Sequence, residues 1–205
     1  MSVRDEVLWT TLIAGYAEEG LGEKVLEHLK QMQLEGFIPN AVTLVCSLKA
    51  CISIGAIDKG QQIHAGIMKE GFDSNVFIGN VLVDIYSKYG MVVDASDILD
   101  TLTARDIVTW NSLIAGYVED GRGEEALNCL LEMQVEGISS DPITMLCSLK
   151  ACVTIKSSYS SHNIHDEIIV KGFENESHIK NILVDTYAKC GCFSDAECLL
   201  IRMQV

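Results

Sequence analysis

Trp9-Thr10-Thr11-Leu12-Ile13-Ala14-Gly15-Tyr16 returns 101 residues later as Trp110-Asn111-Ser112-Leu113-Ile114-Ala115-Gly116-Tyr117. The same offset carries Ser47-Leu48-Lys49-Ala50-Cys51 onto Ser148-Leu149-Lys150-Ala151-Cys152, and Leu82-Val83-Asp84 onto Leu183-Val184-Asp185. Two copies of one block fill the chain. A repeat this long without insertion implies stacked units, each too small to bury its apolar face alone, so neighbours rather than one central core supply stability. Binding then belongs on a surface spread along the stack.

Within a block the apolar spacing resolves three helical hairpins. Leu8, Leu12, Ile13 and Tyr16 mark a first helix A, Gly20 and Gly22 break it, and Val25, Leu26, Leu29 and Met32 mark its helix B, closed by Gly36 and Pro39. The second hairpin runs from Ala41 through Cys51, breaks at Gly55 and resumes with Ile63, Ile67 and Met68 until Gly71-Phe72. The third runs from Val76 through Tyr86, breaks at Gly90 and resumes through Ala95, Ile98 and Leu99 to Arg105-Asp106. Ser194-Asp195-Ala196-Glu197 reads as a capping box opening the last helix B. The expected organisation is a tail at 1–5, repeats at 6–40, 41–75, 76–106, 107–141 and 142–176, and a cut-off repeat at 177–205, cycling through 35, 35 and 31 residues.

Composition narrows the function. The 205 residues are 48% hydrophobic and 21% charged with only two prolines, which suits a helical protein. No uncharged apolar run approaches the roughly 18 residues of a membrane span. The start, Met1 to Glu6, is too acidic for a signal or transit peptide, so no membrane partner is expected. Of eight cysteines, Cys46/Cys51 and Cys147/Cys152 recur at the repeat offset inside helices, where small thiols pack. Cys190, Cys192 and Cys198 lack a second metal knuckle, and His162 with His165 lacks completing ligands, so no metal site is expected. His165-Asp166-Glu167 has no C-x-x-C companion for a zinc deaminase, and no phosphate loop or nucleophile arrangement occurs. The expected molecule is not an enzyme and takes no cofactor.

Trp110 to Tyr117, Glu125-Ala126-Leu127, Glu132-Met133-Gln134-Val135-Glu136-Gly137, Lys171-Gly172-Phe173 and Leu183-Val184-Asp185-Thr186-Tyr187-Ala188-Lys189-Cys190-Gly191 resemble the plant pentatricopeptide repeat, in the subclass that cycles pure, long and short motifs. The resemblance covers nearly the whole chain. It implies an all-α fold, a right-handed α-solenoid superhelix of stacked helix-turn-helix hairpins, and sequence-specific binding of single-stranded RNA in a mitochondrion or chloroplast, in RNA processing or C-to-U editing. One nucleotide is read per repeat, with A helices lining the concave surface. The fifth and last residues of a repeat select the base. The first repeat then offers Thr10 with Asn40, similar to the adenine-type pairing. Asn80 with Asp106 and Asn111 with Asp141 are similar to the uracil-type pairing, and Asn181 leans towards a pyrimidine. The long repeats depart from the pattern, because Val45 and Leu146 are apolar at the fifth position and cannot hydrogen-bond a base edge.

An Asn amide carries both donor and acceptor, so it satisfies the mixed edge of a pyrimidine, and a nearby Asp fixes which way it points. The net charge of −14 opposes phosphate binding. On the A-helix face, however, the candidate phosphate-facing Lys49, Lys88, Lys150 and Lys189 balance Glu18, Asp84, Glu119 and Asp185. The acidic excess falls on helix B, at Glu23, Glu27, Asp94, Asp97, Glu124 and Glu125. Helical solenoids also bind proteins, and within the resemblance long motifs are implicated in contacts with RNA-editing cofactor proteins, so a protein scaffold is the alternative reading. Met1 to Asp5 and Met203 both align with the tail of a short repeat, as in a fragment of a longer array. Such a fragment could be inactive, and its exposed repeat ends predict self-association.

Overall fold

The computed structural model describes residues 3–69 and 75–202, with side chains from Glu6 onward. Among the described residues lie twelve α-helices, one 3-10 turn at Phe173–Asn175 and no strand. The expected hairpin end at Gly71-Phe72 and the alignment of Met203 lie outside the described residues. The chain divides into two compact units, Met1–Arg105 and Asp106–Val205.

In the first unit α1 (Val3–Glu18) pairs with α2 (Gly22–Leu34), α3 (Ala41–Ile54) with α4 (Ile57–Lys69), and α5 (Val76–Lys88) with α6 (Val92–Thr101). In the second, α7 (Ile107–Glu119) pairs with α8 (Gly123–Val135), α9 (Pro142–Ile155) with α10 (Ser158–Val170), and α11 (Ser177–Lys189) with α12 (Phe193–Arg202). Odd-numbered helices are A helices and even-numbered ones B helices. Within the first unit α1 packs on α3 and α3 on α5; within the second α7 packs on α9 and α9 on α11. The first B helix of each unit, α2 or α8, also packs on the following A helix.

Most A helices open on a side-chain cap. Asn40, Asn75, Asp106 and Asp141 accept the backbone N–H of Thr43, Ile78, Thr109 and Thr144 respectively. Left-handed residues end the long A helices: Gly55 does so at φ 67, and its counterpart Lys156 at φ 51. A non-glycine residue there costs on the order of 1 kcal/mol. Ser194 corrects the sequence reading. The turn at Gly191 (φ 80) brings Cys192 to the cap position, where its carbonyl accepts from Ala196, so α12 begins at Phe193 and Ser194 falls inside its first turn.

The core follows the internal repeat. Ile13, Val25, Met32 and Ala50 form a buried cluster against which Trp9 and Tyr16 pack, and Ile114, Ala126, Met133 and Ala151 are fully buried 101 positions later. Gly22, expected to break the helix, instead begins α2 and is buried. A Cβ there would lie 2.7 Å from Ile54 Cγ2 and 3.1 Å from the Ala50 carbonyl, and one at Gly123 would lie 2.7 Å from the Ala151 carbonyl. Glycine at these sites lets the B helix approach the next A helix.

Two further links tie each long repeat to the short repeat after it. His64 Nδ1 and Tyr86 Oη share a 2.8 Å hydrogen bond between α4 and α5, repeated at 2.8 Å by His165 and Tyr187 between α10 and α11. Tyr89 Oη donates to the Cys51 carbonyl at 2.7 Å, and in the second unit Cys190 Sγ makes the corresponding 3.6 Å contact with the Cys152 carbonyl. The eight cysteines are free thiols. Burial pushes the Cys51 and Cys152 thiols up to about 11, so they pack as neutral groups.

Gly123→Ala should destabilise the protein by about 1–3 kcal/mol, read as a fall in Tm of roughly 2–4 °C per kcal/mol. Gly22→Ala, which meets mainly flexible side-chain atoms, should cost less; equal, negligible shifts would contradict the close approach. Burial pulls the imidazoles of His64 and His165 below their ordinary value, opposed by Asp94 and Asp166 respectively. A folded state that binds fewer protons than the unfolded one loses stability as pH falls through the unfolded value of about 6.5. Tm should therefore drop between about pH 7 and about pH 5, and the double variant His64→Gln, His165→Gln should lose much of that slope.

Candidate nucleic-acid interface

The last residue of each expected repeat immediately precedes the next A helix, and capping that helix brings its side chain towards the preceding one. In the first unit Asn40 Nδ2 donates to Thr10 Oγ1 at 2.9 Å, while Asn40 Oδ1 accepts from Thr43 N at 3.0 Å and from Thr43 Oγ1 at 3.1 Å. Thr10 Oγ1 donates back to the Glu6 carbonyl at 3.0 Å, and Glu6 Oε1 lies 3.4 Å from Asn40 Nδ2. In the second unit Asn111 Nδ2 donates to Asp141 Oδ1 at 3.1 Å and Asn111 Oδ1 accepts from Thr144 Oγ1 at 2.7 Å. Asp141 Oδ1 also accepts from Thr144 N at 2.8 Å. Burial raises the Asp141 pKa, but the hydrogen bonds from Thr144 and Asn111 outweigh it and hold the carboxyl below its usual range. It is a carboxylate at neutral pH.

Two of the fifth-and-last pairs are thus in direct contact. Asn80 lies half-buried on α5 of the first unit, and Asp106 caps α7 in the second, where its Oδ1 accepts from Thr109 N at 3.0 Å and Thr109 Oγ1 at 2.9 Å. Asn181 is exposed on α11. The apolar fifth residues of the long repeats turn inward, Val45 buried in the core and Leu146 half-buried.

Exposed apolar side chains stand at the second position of the repeats, a feature the sequence reading passed over. Val7, Val42, Phe77, Val108 and Ile143 are each 49% to 58% exposed, far more than large apolar residues in a packed helix need to be. The signal in the sequence was positional: a large hydrophobe two residues after the end of the preceding repeat, off the buried face of its helix. Thr43 and Thr144 were also missed, although both join the polar pairs and are fully buried.

The lysines divide. Lys88 and Lys189 donate to Asp84 and Asp185 one helical turn earlier, both at 2.8 Å, whereas Lys49 and Lys150 stand exposed. Exposed pairs of this kind are worth only about 0.3–0.5 kcal/mol, so an arriving anion can compete for them. Lys49 lines a cleft of about 420 Å³ between α1 and α3 with Ala14, Glu18, Val42 and Ser53. Lys150 and Lys189 line one of about 220 Å³ beside α9 and α11. Among the described residues no group of three metal-ligating side chains gathers, and no helix is long and apolar enough to cross a membrane.

Comparison with known proteins adds a family. The model described as PPR repeat family matches residues 4–53 and 105–154, and the one described as PPR repeat matches 179–205. A chloroplastic pentatricopeptide repeat-containing protein of Arabidopsis thaliana is 38% identical over 196 residues, 96% of this chain and 32% of that protein. A mitochondrial one from the same plant is 34% identical over 194 residues, 95% of this chain and 19% of that protein. The chain therefore spans about a third or less of the length of these relatives. The fold is similar to the crystal structure of the pentatricopeptide repeat protein PPR10 in complex with an 18-nt psaJ RNA element, with a TM-score of 0.76 at 19% identity, covering 95% of this chain and 29% of that one. The fold is thus that of an α-solenoid of helical hairpins.

Removing a cap oxygen should show directly in stability. Asn40→Ala and Asp141→Ala should each cost about 1–2 kcal/mol in thermal or denaturant unfolding. Glu176→Ala, at a helix start where no side-chain cap bond forms, should stay within about 0.5 kcal/mol. Equal losses at all three would contradict the capping role.

Proposed function

Because the chain belongs to the pentatricopeptide repeat family, we propose that it binds single-stranded organellar RNA sequence-specifically, reading one base per repeat through the fifth and last residues. The observation that carries this reading is the pair of direct contacts, Thr10 with Asn40 and Asn111 with Asp141, each beside exposed apolar residues. The relatives named chloroplastic and mitochondrial support an organellar setting, and a part in RNA processing or C-to-U editing is what the family resemblance implies. The molecule of the PPR10 structure is bound to RNA, which supports RNA as the ligand class. Binding rather than catalysis is the role, and any base chemistry belongs to a partner such as an editing cofactor protein.

The hydrogen bonds suggest what each pair offers. An amide has two donor hydrogens and two acceptor lone pairs. Asn111 spends one N–H on Asp141 and one lone pair on Thr144, which leaves one donor and one acceptor for a pyrimidine edge. In the first repeat both lone pairs of Asn40 Oδ1 go to Thr43, the Thr10 hydroxyl proton goes to the Glu6 carbonyl, and one Asn40 amide N–H goes to Thr10, so a purine ring nitrogen competes with Glu6 Oε1, 3.4 Å away, for the second N–H. The exposed Val7, Val42, Phe77, Val108 and Ile143 supply apolar faces for stacked bases. Phosphate contacts fall to Lys49 and Lys150, and to Lys88 and Lys189 in competition with their aspartates.

One observation favours a second reading as a protein scaffold. In the second unit Glu167 accepts from Gln134 at 2.9 Å and from Ser140 at 3.0 Å, bridging α8 and α10. Gly66 and Pro39 stand at the matching places in the first unit, beside a cleft of about 530 Å³ lined by Leu26, Leu29, Lys30, Lys59 and Ile63. That cleft suits an aliphatic, acidic segment of a partner protein.

Fluorescence anisotropy with short RNAs reading A, any, U, U, any, pyrimidine from the 5′ end tests the first reading against scrambled RNA. The matched RNA should bind more tightly and lose affinity with salt at a log–log slope of about −0.7 per phosphate contacted. Asn111→Thr with Asp141→Asn should move the fourth preference from uracil towards adenine. No binding at low salt would leave the scaffold reading or an inactive fragment.

A further inference from the structure

We infer that the threonine at the third position of an A helix is the positioning residue for the reading pair of the preceding repeat, so that the long repeats take part in base discrimination through Thr43 and Thr144. The inference rests on the reading of Asn111 and Asp141 proposed above. Thr144 is fully buried and does not itself meet a base. Its hydroxyl lies 2.7 Å from Asn111 Oδ1 and 2.9 Å from Asp141 Oδ1, and it accepts from Asp141 N at 3.2 Å. Asp141 therefore holds the amide nitrogen of Asn111 and Thr144 holds its oxygen. A flipped amide would set Oδ1 against a carboxylate oxygen and forfeit the 2.7 Å bond from the Thr144 hydroxyl, whose proton would turn to Asp141 Oδ1 alone. In the first unit Thr43 Oγ1 similarly reaches Thr10 Oγ1 at 3.2 Å and Asn40 Oδ1 at 3.1 Å.

Amide orientation matters because uracil and cytosine differ by exchange of donor and acceptor. Uracil offers N3–H and O4 where cytosine offers N3 and an N4 amino group. An amide held one way discriminates between them; an amide free to flip does not.

The sequence carries an independent sign of the same device. Where the preceding fifth residue is polar, at Thr10, Asn80 and Asn111, the third residue of the next A helix is Thr43, Thr109 and Thr144. Where it is apolar, at Val45 and Leu146, the third residue is Ile78 and Ile179. Helix capping alone does not account for the alternation, since Asn75 caps α5 through the Ile78 backbone N–H at 3.2 Å without any hydroxyl at that position. The threonine goes with a polar reading residue, not with a cap.

Thr144→Val removes the hydroxyl at constant shape, and Thr144→Ser restores it. Each is compared with the wild type by anisotropy on four RNAs that differ only in the nucleotide facing the fourth repeat. The expected result is a uracil-over-cytosine ratio that falls about fivefold in Thr144→Val, the worth of one net hydrogen bond, and stays within about twofold of wild type in Thr144→Ser. A Thr144→Val protein with the wild-type ratio overturns this inference and leaves the reading intact. A wild type indifferent to that nucleotide overturns the reading of Asn111 itself, and the inference with it. The side-chain amide NMR signals of Asn111, recorded without RNA, separate lost orientation from lost folding. They should move in Thr144→Val and hold in Thr144→Ser, and signals that stay in place in both would also overturn the inference.

Discussion

The side-chain oxygen that opens an A helix is the constraint on which the rest depends. A helix start leaves backbone N–H groups without partners, and here the residue just before the helix supplies the acceptor. Asn40 and Asp141 do this from a point where one more hydrogen bond reaches the A helix before them, at Thr10 and Asn111. One residue thus ends a repeat, starts the next and fixes a polar group of the proposed reading face. At Asp141 one oxygen, Oδ1, serves both helix and pair, whereas at Asn40 Oδ1 caps the helix and Nδ2 reaches Thr10, so in both copies the site and the fold share one side chain.

Stacking within each unit combines large buried side chains, such as Ile13, Met32, Ile114 and Met133, with close approach of neighbouring helices. Gly22 and Gly123 let the B helix lie against the next A helix, and the His64–Tyr86 and His165–Tyr187 bonds fasten the long repeat to the short one. The two copies differ where a single residue changed. Tyr89 reaches the Cys51 carbonyl with a full hydroxyl bond, while Cys190 offers only a weak thiol at the same place. Glu167 clamps two B helices where Gly66 leaves a cleft.

The hairpins were legible because apolar spacing and turn glycines act locally: the A helices α3, α5, α7, α9 and α11 begin immediately after the residues that cap or precede them in the sequence. Other features were not legible because they depend on what faces a residue. Gly22 read as a breaker, and only the neighbouring Ala50 carbonyl reveals a contact glycine. Ser194 read as a cap, but the Gly191 turn places the helix start two residues too early for it. Lys156 carries no turn signal, yet it takes the left-handed conformation of Gly55 because the chain must reverse there in both copies. The lysines balanced against acids by count turned out to be unequal, two of them held by aspartates on their own helices.

The sequence by itself determined the repeat, the helical hairpins and the chemical types at the fifth and last positions, because each is written in spacing and composition along one segment. Only the tertiary structure decided that Thr10 meets Asn40 and Asn111 meets Asp141, that Thr43 and Thr144 close those networks, and that Val45 is withdrawn into the core. Those partners lie about thirty residues apart in the chain, and it is packing of successive A helices that brings them within hydrogen-bonding distance.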